Sequence, residues 1–135
     1  AFVELKDESI FHCGREEMIN KTAAILYEVA ENTVIMSFDY ELCLKARDIS
    51  WPGVGIVLET WSDLNSEIIR QIEPDYIFVD QEMIPRDYDL KSCEVLQKSN
   101  LVAYEIDDIQ TGNNLLERGV DMIETYEIGK FLDIS

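Results

Sequence analysis

The stretch VIMSFDYELCLKARDISWPGVGIVL, residues 34–58, decides the fold class. Val34–Ser37 is a short, nearly unbroken apolar run, and Val54–Leu58 is a second. Between them, Leu42, Ala46 and Ile49 recur at helical spacing across Tyr40–Asp48. Asp39 stands where a helix cap belongs. Apolar strands without alternation, joined through a helix, are the signature of a parallel sheet covered on both faces.

The same unit recurs in both directions. Phe2–Leu5, Tyr76–Val79, Leu101–Ile106 and Asp121–Ile123 read as further strands. A helix is expected over Arg15–Glu31, with Met18, Thr22, Ile25 and Val29 on one face and Ile19, Ala23, Leu26 and Ala30 beside them. Another begins after Ser62, uses Leu64, Ile68 and Ile72, and stops before Pro74. A fourth spans Tyr88–Lys98. A fifth spans Asp108–Arg118 and ends on Gly119. A short tail helix is expected over Ile128–Leu132. The expectation is one α/β domain with about six parallel strands and five crossover helices.

Two architectures fit that alternation: an open doubly wound sheet, and a (β/α) barrel. The first calls for a glycine-rich first turn, yet neither GxGxxG nor GxxxxGK[ST] occurs. The second needs eight strands and commonly about 250 residues. Six strands in 135 residues read as a truncated TIM-barrel-like fold.

Composition narrows the function. Twenty-eight acids against 11 bases give a formal charge of −17, which repels phosphate backbones and anionic lipid. Nucleic-acid binding is set aside on that ground. No apolar run approaches the roughly 20 residues of a membrane helix. The start carries no signal-peptide pattern, and with the lack of a disulfide pattern this leans cytoplasmic. Three cysteines, Cys13, Cys43 and Cys93, without a CxxC spacing, argue against a zinc site. Cys43 and Cys93 fall among apolar helix residues and read as core. His12, the only histidine, and Cys13 fall in a loop and read as loop residues.

Several blocks carry a family resemblance: AFVELK, Ile35-Met36-Ser37-Phe38-Asp39, the run Pro52–Leu58 and the GVD-x-I block from Gly119. In this order they resemble the later part of glycerophosphodiester phosphodiesterases, from the third barrel strand onward. The ending IETYEIG resembles a bacterial subgroup of that family. The resemblance implies a TIM barrel and metal-assisted hydrolysis of a glycerophosphodiester to glycerol 3-phosphate and an alcohol. The family's H-R-G, E-N-T, E-x-D and H-D motifs do not occur in this sequence. Its two acid–base histidines and two of its three carboxylate ligands are therefore missing.

What the resemblance implies for this chain is a partial site. Glu4 matches the third ligand of a divalent metal, Mg²⁺ or Ca²⁺, both of which take oxygen ligands. Lys6, one pleat further on, would bind a phosphate oxygen as a point charge. Tyr104, in Ala103-Tyr104-Glu105-Ile106-Asp107, stands in place of a family tryptophan and would pack on the glycerol end. Trp61 would line the pocket from a mouth loop, while Trp51 packs before its strand. Glu124 is a further candidate at the end of the last strand. Asp80 and Glu82 add charge nearby, and Asp107 reads as a helix cap. Three readings follow. One is a phosphodiesterase with this chain inactive by itself. Another is a non-enzymatic remnant that self-associates through open sheet edges. The third is an unrelated signalling phosphodiesterase, hinted at by PDYIFVD but lacking that family's other motifs.

Overall fold

A computed structural model describes residues 2–6 and 14–124. His12, Cys13 and the expected tail helix Ile128–Leu132 lie outside the described residues. Six strands form one sheet: β1 (Phe2–Glu4), β2 (Val34–Ser37), β3 (Gly53–Val57), β4 (Tyr76–Asp80), β5 (Asn100–Tyr104) and β6 (Met122–Ile123). Among the described residues five α-helices lie between them: α1 (Arg15–Leu26), α2 (Tyr40–Asp48), α3 (Glu67–Ile72), α4 (Glu94–Gln97) and α5 (Ile109–Arg118).

Every neighbouring pair is parallel, and the spatial order is the sequence order, β1 to β6. That order separates the two candidate architectures. A doubly wound sheet reverses direction once and puts helices on both faces. A sheet that only adds strands on one side, through crossovers of one hand, keeps all its helices on one face and curls. The curl shows in the rings: Phe2 of β1 meets Tyr76 and Phe78 of β4 at 5.0 and 5.3 Å, edge to face. The structure is a curled half-barrel of the TIM type.

Two apolar layers follow from the pleat. Ile35, Val54, Ile56, Leu58, Ile77, Val79, Leu101 and Ala103 face the helices in the main core. Val57, Phe78 and Val102, with Met36, Phe38, Tyr76 and Tyr104, line the concave side. Gly55 belongs to the concave face by register, opposite Met36 and Tyr76. A Cβ there would stand 2.8 Å from Phe78 Cε2, so the glycine makes room for that ring.

Several helix expectations hold at their caps. Asp39 Oδ1 accepts from Leu42 N at 3.0 Å and starts α2 as expected. Gly119, at φ 118, ends α5. Others need correction. The helix expected to run to Glu31 ends at Leu26 and continues as a 3₁₀ segment, Tyr27–Asn32, kinked at Val29. Ile19 and Thr22 are buried, but Ile25 is 81% exposed and Val29 is also exposed. The kink breaks the phase of the stripe, and the face bearing Ile25 has no helix over it among the described residues. The segment after Ser62 divides into a 3₁₀ turn, Trp61–Asn65, and α3, because Ser66 is extended and re-enters the helix as its cap. The Tyr88–Lys98 segment likewise splits into Leu90–Ser92 and α4, with extended Cys93 between them. Cys43 is fully buried in the core, and Cys93 is half-buried and packs against it. β5 stops at Tyr104 rather than Ile106, since Glu105 takes a left-handed φ of 59°. Asp108, not Asp107, caps α5, its Oδ2 accepting from Thr111 N and Oγ1. Trp51 packs as expected: it is buried, and its Nε1 donates to Thr33 O at 3.0 Å.

Polar ties hold the end of the barrel opposite the mouth. Arg47 donates to Ile72 O, Glu73 O and Asp75 Oδ2, and Asp75 Oδ2 also accepts from Val54 N. In barrels of this kind that end serves stability, and the C-terminal ends of the strands serve chemistry.

Candidate functional site

The C-terminal strand ends bring five of the residues singled out in the sequence to one rim. β1 delivers Glu4, whose partner in the ladder is Met36 on the concave side. Lys6 follows two residues later and is exposed. β4 ends in Asp80, paired with Tyr104 at the end of β5. Glu124 follows β6, where its N donates to Ala103 O at 2.8 Å and its O accepts from Ile106 N at 3.1 Å.

Tyr104 stands among these charged residues and is half-buried. Burial raises its phenol above the ordinary 10.0, and the charges of Asp80, Glu105 and Glu4 push it the same way. Residues from β1, β4 and β5 therefore share one field at the mouth. The phenol stays protonated at neutral pH and can donate a hydrogen bond. Asp80 Oδ1 is partly committed, accepting from Glu82 N at 3.0 Å.

Trp61 is placed elsewhere. Its ring meets Tyr88 edge to face at 5.2 Å and packs with the helix-facing core rather than the concave side. Tyr40 ties down the loop that carries it: the Tyr40 hydroxyl donates to Asp63 Oδ2 at 2.8 Å and accepts from Glu59 N at 3.0 Å. Phe38, on the concave side with Tyr104, was not among the sequence candidates. Its position two residues past Met36 on the same pleat was the available signal.

A divalent cation asks more than these residues offer. Mg²⁺ or Ca²⁺ needs six or more oxygens around one point. Among the described residues no three His, Cys, Asp or Glu side chains converge in that way. Glu4 supplies one carboxylate, and the described donors do not make up a closed cation site. No helix of the described residues is long and apolar enough to cross a membrane.

No family model matches the chain, and no curated protein does. Solved structures do match. A glycerophosphodiester phosphodiesterase from Parabacteroides distasonis superposes with a TM-score of 0.79 at 17% identity, over 98% of this chain and 56% of its own. One from Thermotoga maritima gives 0.70 at 15% identity, over 99% and 57%. An Oleispira antarctica phosphodiesterase, solved with the product sn-glycerol-3-phosphate, gives 0.71 at 18%, over 96% and 52%. The chain spans about half the length of these structures. The resemblance read from the sequence is borne out at the level of fold.

Proposed function

We propose that this chain is the C-terminal six-strand part of a glycerophosphodiester phosphodiesterase barrel, and that its rim binds the glycerol phosphate portion of a glycerophosphodiester. The reading is supported by the superposition on solved glycerophosphodiester phosphodiesterases together with the placement of Glu4, Lys6 and Tyr104 at the strand ends where barrel sites are built. Lys6 pairs with the phosphate, and neutral Tyr104 packs on the glycerol and donates to a hydroxyl or phosphate oxygen. Glu4 would supply one oxygen ligand to a divalent cation such as Mg²⁺ or Ca²⁺, and the described residues do not furnish the rest of its shell. Glu124 borders the same rim. Trp61 acts through the loop it anchors rather than by touching substrate.

The reaction inferred from the fold is hydrolysis: water forms a bond to phosphorus, the bond to the alcohol oxygen breaks, and that oxygen takes a proton. Removing one proton and supplying another calls for positioned acid–base groups. The sequence holds one histidine. This chain's contribution is therefore binding and orientation, and by itself it binds without turning over.

The test is a ¹⁵N NMR titration with sn-glycerol 3-phosphate beside a turnover assay with glycerophosphocholine and Mg²⁺ or Ca²⁺. Shifts at Lys6 and Tyr104 without turnover are expected. Absence of shifts ends the ligand reading. Metal-dependent turnover lost in Glu4→Ala ends the view that the chain is inactive alone.

A second reading has its own observation. Phe2 of β1 and Met122 of β6 are 41% and 42% exposed, at the two edges of the sheet among the described residues. Unpaired edges recruit other strands. Self-association through them would be seen by light scattering after size exclusion; a strictly monomeric particle at micromolar concentration rules it out.

A further inference from the structure

The two ends of the β1–α1 connection are held by one short segment, Ser37-Phe38-Asp39. Ser37 is fully buried, and its Oγ donates to Leu5 O at 2.6 Å while accepting from Asp39 N at 3.1 Å. Leu5 N donates to Met36 O at 2.9 Å. Leu5 lies between Glu4 and Lys6, so the residue joining the two rim candidates is gripped at both of its backbone polar groups. The β1–β2 register ends at Glu4 and Met36. The Leu5 carbonyl is thus satisfied by a side chain rather than by the ladder.

The other end is held two residues later. Asp39 Oδ1 accepts from Arg15 Nε at 2.9 Å, and Arg15 is the first residue of α1. The same oxygen accepts from Leu42 N to cap α2. The Asp39 side chain is 14% exposed but Arg15 is 46% exposed, so solvent screens this pair from the arginine's side.

We propose that Ser37 and Asp39 are positioning residues, a two-point clamp that holds Leu5 at the exit of β1 and Arg15 at the start of α1 and so aims Glu4 and Lys6 over the mouth. The inference rests on the reading of that rim as the ligand site. Its geometry, however, can be tested without a ligand. A residue that only stabilised the sheet would affect all strand exits alike. The clamp acts at one exit.

The experiment is amide hydrogen exchange, resolved by residue, on the whole chain and on Ser37→Ala, Ser37→Thr and Asp39→Asn. The comparison amides are Leu58, bonded to Phe78 O inside the sheet, and Glu124, bonded to Ala103 O at the far edge. Loss of one buried hydrogen bond corresponds to about tenfold in a local opening equilibrium. Ser37→Ala is expected to speed exchange at Leu5 about tenfold beyond any change at Leu58 and Glu124, and Ser37→Thr, which keeps the hydroxyl, to restore most of it. Asp39→Asn keeps a competent cap for α2 but loses the ion pair, so it should speed exchange at the start of α1 and spare Leu42. Equal acceleration at Leu5, Leu58 and Glu124 overturns the proposal, as does a Ser37→Thr profile matching Ser37→Ala. Titration with sn-glycerol 3-phosphate forms the second arm. If the parent chain binds, Ser37→Ala should weaken binding about fivefold or more with recovery in Ser37→Thr. If the parent chain does not bind while the exchange pattern holds, the ligand reading fails and the clamp stands.

Discussion

Gly55→Ala tests whether the concave face is packed as described. The added Cβ would lie 2.8 Å from Phe78 Cε2, 3.3 Å from Met36 Cβ and 3.4 Å from Tyr76 Cβ. Phe78 cannot swing aside cheaply. It is 1% exposed, stacks on Tyr76 at 6.3 Å and takes the edge contact of Phe2 at 5.3 Å. Forcing a methyl into such a site costs about 1–3 kcal/mol. Replacing a mid-strand glycine returns about 0.5–1 kcal/mol, because the unfolded chain loses freedom. Taking the middle of each range, the net is a loss of about 1.3 kcal/mol, or about 4–5 °C in Tm for a chain of this size. Urea unfolding followed by circular dichroism measures it. A shorter side chain at the clash should relieve the penalty, so Gly55→Ala with Phe78→Leu should cost about 1 kcal/mol less than the sum of the two single changes. An unchanged or raised midpoint for Gly55→Ala, or strict additivity, would refute the packing of β3 against β4 on the concave side.

Three further outcomes are expected. Burial pushes the Cys43 thiol up to about 12 from the ordinary 9.0, so the native state keeps its proton where the unfolded chain releases it. Stability from this group is intact below pH 9 and falls as pH rises toward 12, by about 1.4 kcal/mol per pH unit. Cys43→Ala should show a shallower alkaline decline, and equal slopes would contradict the assignment. Trp51→Phe strands the Thr33 carbonyl that Nε1 now satisfies, with an expected loss of about 1–3 kcal/mol in urea unfolding. Asp108→Ala should cost about 1 kcal/mol by removing the α5 cap, while Asp107→Ala should fall within about 0.5 kcal/mol of the parent.

The local chemistry of the sequence was enough to place the strands and most helix ends, though it read the α5 cap at Asp107 rather than Asp108. Apolar runs marked all six strands, and Asp39 and Gly119 marked helix ends, because side-chain pattern and backbone hydrogen bonding act over a few residues. Glu4, Lys6 and Tyr104 could be singled out as types suited to anion handling, through a resemblance of short motifs. The sequence could not say that Glu4, Asp80 and Tyr104 share one field, since they come from three strands that meet only when the sheet curls. Nor could periodicity warn that Ile25 and Val29 face outward, because burial depends on which neighbour covers a face and a one-residue kink shifts the phase. Trp61 read as a pocket residue by its place after β3, but its ring is spent on Tyr88, a partner set by the next loop. Spacing along the chain thus determined the elements and their order. The composition of the rim was decided in three dimensions, where strand order and curl choose which ends come together.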